Sequence, residues 1–270
     1  MHPVKRALKY QSATAPWPSG TLAAVDGYGE FCPVSLAAEV FARRWTPVII
    51  RELLAGSTRF NDLRRGIPNI TATVLSRRLD ELAVAGIVER SEGDGGTRYL
   101  LTPAGQELRT VVEALGVWGR RWLPTEYREE HLDPRLLVWD IHRSIHLDRI
   151  PTRTVIELHF SDAPPKYRAY WLIVEPGGAQ VCLTHPGGEV DVRLSSDVRT
   201  LTDVWMGNTT LDSALRAGAL RLTGAPETCR ALPRWLKLNP FARVQPARAP
   251  ARVTEPAGSR SVRAPATASP

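Results

Sequence analysis

Cysteine is scarce in this chain. Cys32, Cys182 and Cys229 are the only three in 270 residues, far apart and odd in number. That excludes a disulfide framework and a paired-cysteine zinc motif. No run of the roughly eighteen apolar residues a spanning helix needs occurs, so no membrane partner is expected. The N-terminus lacks the apolar core of a secretory signal, and a reducing cytoplasm is the expected location. There is no Gly-x-Ser-x-Gly turn, phosphate-cradling glycine loop or metal-ligand spacing. His142 and His146 stand four apart on a helical stretch, but no third ligand accompanies them. His159, His185 and Cys182 form no Cys–His pattern. The expectation is no catalytic residue, no cofactor, no metal and no enzyme.

Positive charge is in excess, at +7, but is unevenly placed. It sits in the first half and the two ends, while residues 123–242 are close to neutral. Such a distribution suits nucleic-acid contact at one end of the molecule and something uncharged at the other.

Residues 60–102 carry the clearest pattern. Phe60-Asn61-Asp62-Leu63-Arg64-Arg65-Gly66 reads as a short helix, and Thr71 is a good N-cap for a second one. Leu75, Leu79 and Leu82 recur at helical spacing, leaving Thr73, Ser76, Arg77 and Asp80 off that stripe. Two β-rich segments follow, Ile87-Val88-Glu89-Arg90 and Arg98-Tyr99-Leu100-Leu101, around a glycine-rich turn at Gly93–Gly96. Helix, turn, helix and hairpin in that order predict a winged helix-turn-helix, whose second helix lies in the DNA major groove. Arg77 has the reach for a guanine edge or a phosphate. Arg90 and Arg98 flank the wing near a neighbouring phosphate. Taken alone, the leucine helix reads equally as an ordinary amphipathic one; the hairpin behind it and the short helix before it decide for the motif.

The chain divides as follows. Residues 1–27 read as a flexible arm. In residues 28–122, a first helix is predicted from Pro33 to Arg44, with Leu36, Val40 and Phe41 on one face. A second is capped by Thr46 with Pro47 at its first position. A last one runs from Thr102-Pro103 to Trp122, with Leu108, Val112, Leu115 and Trp118 on one side, available to a second copy. Residues 123–132 read as a linker. In residues 133–242 a helix from Pro134 precedes a switch to period two at Val155–Phe160, Tyr170–Val174, Gln180–Leu183 and Val190–Leu194. Their alternation, with Pro-Gly-Gly turns between them, predicts an antiparallel sheet with one wet side. Helices at Asp197–Met206, Leu211–Ala217 and Pro226–Leu238 then surround a short strand, Leu220–Gly224. The fold class is α+β. Residues 243–270 repeat Ala, Pro and Arg and read as a disordered tail.

Cys32-Pro33-Val34, Arg44-Trp45-Thr46, Ile50-Arg51-Glu52-Leu53, Arg59-Phe60-Asn61-Asp62-Leu63, Gly86-Ile87-Val88-Glu89-Arg90 and Tyr99-x-Leu101-Thr102 resemble the HxlR-type bacterial regulators. The resemblance implies a dimeric winged-helix transcription factor on double-stranded operator DNA, with Thr71, Thr73, Ser76, Arg77, Arg90 and Arg98 as DNA-binding residues. It also implies that Cys32 sits where some relatives carry a cysteine that senses oxidants or electrophiles. A thiol just before a helix has its thiolate favoured; the alternative is a small residue packed ahead of the first turn.

Trp171-Leu172-Ile173-Val174, Asp191-Val192-Arg193-Leu194-Ser195, Leu201-x-x-Val204-Trp205-x-Gly207 and Leu215-x-x-Gly218-x-Leu220-x-Leu222-x-Gly224 resemble the sterol carrier protein 2 (SCP2) type of domain. That resemblance implies an apolar cavity between sheet and helices. Its candidate effector-binding residues are Trp171, Trp205, Leu215, Trp235 and Leu236; the alternative is that Trp205, Leu215, Trp235 and Leu236 simply fill the core. The function expected is an operator-binding regulator controlled by a small apolar effector. The alternative is a carrier or storage protein for a lipid-like molecule whose winged helix serves mainly dimerisation.

Overall fold

Two hydrophobic cores form along the chain, each from its own run of elements. A computed structural model describes residues 27–93, 96–123, 127–150 and 152–247. The arm expected over residues 1–27 and the tail beyond residue 247 lie almost wholly outside the described residues.

The first core belongs to α1 (Pro33–Phe41), α2 (Thr46–Leu54), α3 (Phe60–Gly66), α4 (Ala72–Val84), the hairpin β1 (Val88–Ser91) and β2 (Arg98–Leu101), and α5 (Pro103–Trp122). Ile49, Ile50, Leu63, Leu75 and Leu79 are fully buried in it, each stabilising the fold by about 1.5–3 kcal/mol. The helix starts depart from the sequence reading at α2. Thr46 is inside the first turn and buried, and the flanking residue is Trp45, in the left-handed region at φ 78°. A bulky residue rarely occupies that region. It reverses the chain between α1 and α2 and is stacked beneath Arg44. α1 ends at Phe41 rather than Arg44, and Leu36 is exposed, so only Val40 and Phe41 of its expected face reach the core. At α5 the expectation is met: the Thr102 hydroxyl accepts from Gly105 N at 3.2 Å.

The second core lies between a five-stranded sheet and helices on one face. After α6 (Pro134–Ser144) come β3 (Thr154–Phe160), β4 (Ala169–Glu175), β5 (Gly178–Cys182), β6 (Val192–Ser196), α7 (Val198–Met206), α8 (Leu211–Arg216), β7 (Leu220–Gly224) and α9 (Pro226–Trp235). The strand order is β5-β4-β3-β6-β7. β6 runs parallel to β3, so the sheet is mixed and the all-antiparallel expectation is wrong. The Pro186-Gly187-Gly188 segment therefore makes no tight hairpin. Residues 183–191 carry the chain back along the sheet, with ~30 Å of reach for a strand of ~17 Å. Ile156, Leu158 and Phe160 of β3 meet Leu137, Val138 and Ile141 of α6 and Leu201 and Trp205 of α7 in this core.

The two cores are joined by polar contacts. Glu52 of α2 is completely buried. Arg143 of α6 donates to its Oε2 at 2.6 Å and its Oε1 at 3.1 Å. Arg51 donates to Oε1 at 2.7 Å and to the Gly66 carbonyl at 2.9 Å. A Cβ at Gly66 would collide with the Glu52 carboxylate, so only glycine fits there. At the far end of α5, Arg120 donates to the Met206 carbonyl at 3.0 Å, and Phe241 lies against Gly116.

Candidate nucleic-acid interface

The candidate site is the outer side of α4 with the adjoining wing. The Thr71 hydroxyl accepts from Val74 N at 3.3 Å and fixes where the helix begins. Leu75, Leu79 and Leu82 hold it to the core, while Thr73, Ser76, Arg77 and Asp80 are exposed. The short side chains at Thr73 and Ser76 leave the first turns of α4 open to close approach. Arg77 is 64% exposed in its side chain and leans on Glu81 at 3.6 Å. Glu81 also pairs with Arg78 and, at 3.7 Å, with Arg43, just beyond α1. These partners orient the arginines along one side of the helix.

The wing is tied to the motif at both edges. Arg90 of β1 forms an ion pair with Asp80 of α4 and lies over the Tyr99 ring, its cross-strand partner. Its guanidinium thus links wing to helix. On the other edge, Tyr99 N donates to the Thr58 carbonyl at 2.8 Å, and Arg98 bridges to Arg59 through the backbone. The Arg98 side chain is exposed. Asp94 and Gly95 at the tip of the turn lie outside the described residues.

Cys32 immediately precedes α1 and is half-buried. Hydrogen bonds from the backbone of Ser35 and Val34 hold its thiol below the usual range, against a small opposing effect of burial.

The five residues assigned to an apolar effector are not brought together. Trp205 and Trp235 are buried within the second core, with Leu215 and Leu236 packed against it. Trp171 is on the opposite face of the sheet, because Tyr170, Leu172 and Val174 take the inward positions of β4. It meets His185 edge-to-face at 5.4 Å. A cavity between sheet and helices therefore cannot include Trp171. Of the two spaced histidines, His142 lies on α6 and contacts the Ala179 carbonyl at 3.0 Å, while His146 lies beyond the end of that helix. Among the described residues no group of three or more His, Cys, Asp or Glu could hold a metal ion. None of their helices is long and apolar enough to cross a membrane.

Sequence reading passed over the Glu52–Arg51–Arg143–Asp140 cluster, in which Arg143 also pairs with Asp140. In the Ile50-Arg51-Glu52-Leu53 pattern a charged pair reads as a solvated face. The buried Gly66 opposite it gives no signal that can be read before the helices are placed.

The profile of the HxlR-like helix-turn-helix family matches residues 40–127. The chain is 32% identical over 102 residues to YvaP of Bacillus subtilis (strain 168), named as an uncharacterized HTH-type transcriptional regulator. The overlap is 36% of this chain and 94% of that one. It is 36% identical over 116 residues to the similarly named MT3179 of Mycobacterium tuberculosis (strain CDC 1551 / Oshkosh), covering 38% and 73%. Among solved structures, the redox regulator HypR in its reduced form shares 32% identity at a TM-score of 0.31, over 33% of this chain and 90% of that one. With 94% of YvaP spanned at 32% identity, the chain belongs to the HxlR-like helix-turn-helix family.

Proposed function

We propose that this protein is a transcription regulator that binds operator DNA as a homodimer, α4 entering the major groove and the wing lying along the adjacent backbone. One observation carries the reading: Thr73, Ser76 and Arg77 are exposed on a helix whose other face is fixed by three buried leucines. Arg77 reads base edges, and Arg98 contacts phosphate without regard to sequence. The dimer reading is supported by α5. Val111, Leu115, Trp118 and Trp122 are 45–59% exposed at 4-3-4 spacing, an apolar seam that a two-fold copy covers. Two copies then present two α4 helices to half-sites about one turn of duplex apart.

Residues 133–242 are proposed as an effector-holding domain of the SCP2 type. Support comes from one large apolar core between sheet and helices. Trp205, Trp235, Leu215 and Leu236 belong to that proposal; Trp171 does not. Cys32 is proposed as a thiol sensor of oxidants, on the strength of its lowered pKa and partial exposure. Operator release by diamide in wild type but not in Cys32→Ser is the expected result; equal release in both removes the sensor. DNase footprinting of genomic fragments with purified protein tests the function as a whole. A protected, two-fold related pair of segments is expected, and uniform protection of all fragments contradicts it.

A further inference from the structure

Between the two cores lies a cleft of about 460 Å³, a size that suits a small organic ligand. α3 contributes Arg64 and Arg65, α6 contributes Arg135 and Trp139, and Lys166 and Tyr170 come from the approach to β4 and from β4 itself. Val138, Val181 and Leu183 give it apolar walls. Four cations and three aromatic rings, those of Trp139, Tyr167 and Tyr170, thus converge, and no carboxylate is among the lining residues.

Three of the cations are already engaged, Lys166 only by its place over the Tyr167 ring at 5.3 Å. Arg65 pairs with Asp62 at 3.0 Å and lies over the Trp139 ring, and Arg135 pairs with Asp133 at 2.6 Å. Arg64 and Lys166 have no ion-pair partner among the described residues. Tyr170 is 3% exposed, yet its hydroxyl has no hydrogen-bond partner among the described residues. The Trp139 indole N–H is also unpartnered. Buried donors are normally satisfied, and an orphan at a cavity wall points to a missing acceptor. Burial, with Asp133 and Tyr167 nearby, pushes the Tyr170 phenol well up, so it remains a proton donor throughout the working pH range.

We infer that this cleft binds a small organic anion with an apolar body, its carboxylate held by Arg64, Lys166 and the Tyr170 hydroxyl and its body lying against Val138, Val181 and Leu183. The occupant bridges α3 to the second domain. Because α3 leads directly into α4, it favours one placement of the recognition helix over another. That regulatory half rests on the proposed DNA-binding function; the binding half does not. A ligand with different affinity for the two placements changes operator affinity by the same ratio.

The test uses the full chain and four probes: 1-naphthylacetate and decanoate as anions, 2-(1-naphthyl)ethanol and decanol as neutral counterparts. Equilibrium dialysis should show at least one anion retained about tenfold more tightly than its alcohol. Tyr170→Phe should weaken that anion about tenfold, the worth of one hydrogen bond to a charged group. Arg64→Ala with Lys166→Ala should abolish the preference for the anion while the neutral probe is unaffected. Retention of neither anion, equal retention of anion and alcohol, or full affinity in all these variants overturns the site. With the retained anion present, operator affinity should change about fivefold or more. An unchanged operator affinity overturns the regulatory half alone. Absence of any operator binding counts against the proposed function, and dialysis still decides the site.

Discussion

Glu52 sits without any exposure between two arginines contributed by different parts of the chain. Burial pushes its carboxyl up, but the charges and hydrogen bonds of Arg51 and Arg143 outweigh burial and hold it below the usual carboxylate range. Asp140, buried beside Arg143 and repelled by Glu52, is raised instead. The two carboxyls that share Arg143 are thus pushed in opposite directions, Glu52 toward and Asp140 away from the charged form. A depressed carboxylate contributes stability above its unfolded value of 4.5 and loses it as pH falls through the folded value. Glu52→Gln is expected to cost roughly 3 kcal/mol at pH 7, where it leaves the partly buried Arg143 and Arg51 underpaired. Denaturant titrations should show the difference shrinking below about pH 4.5; a constant difference from pH 7 to pH 3 assigns the loss to packing. Thr71→Ala removes the cap on α4 and should cost about 1 kcal/mol, read from the same titrations. The two residues also mark what a sequence discloses. A hydroxyl just before a leucine stripe announces its role locally. A buried glutamate depends on an arginine far along the chain and on a glycine whose missing side chain leaves it room.

At the scale of the element, local periodicity carried most of the fold. The start of α4, the Thr102-Pro103 start of α5 and the strand character of β3 and β4 were all readable, because each is decided by near neighbours. The parallel pairing of β6 with β3 was not, since pairing partners are chosen across the sheet and the Pro-Gly-Gly segment reads as a hairpin turn wherever it leads. The same cause misplaced Trp171: a short apolar run hides which residues face inward until the register is known. For α5 the sequence marked an apolar side, and the structure divides it. Leu108 and Val112 serve the first core, while Val111, Leu115, Trp118 and Trp122 remain outside. Trp118→Glu is expected to convert the protein to monomer at micromolar concentration in light scattering, with helix content unchanged. It should also weaken binding to a two-fold operator at least tenfold and to a single half-site much less. A dimer that survives this substitution places the contact between copies elsewhere.

Across the whole molecule, the winged-helix half and the sheet half meet through side chains of both. The Glu52–Arg143 bridge, Arg65 over Trp139, and Arg120 on Met206 hold α2, α3 and α5 to the second core. Substituting Arg143→Met leaves Glu52 with Arg51 alone and is expected to separate one cooperative melting transition into two. A single unchanged transition contradicts a joint held by this bridge. The docking thus reaches the DNA-binding motif through α2, α3 and α5.

Binding to duplex DNA measured against salt tests the central claim most directly, using wild type, Arg77→Ala and Arg98→Ala on a footprinted fragment and a random duplex. Wild type should bind the fragment saturably, its affinity falling on a log–log plot by roughly 0.9 per phosphate neutralised. Arg77→Ala should lose about 1–3 kcal/mol of the preference for the fragment over random duplex. Arg98→Ala should weaken both about equally and flatten the slope. Binding that is insensitive to salt, or equal loss of preference in the two variants, contradicts a recognition helix that presents Thr73, Ser76 and Arg77 to the groove.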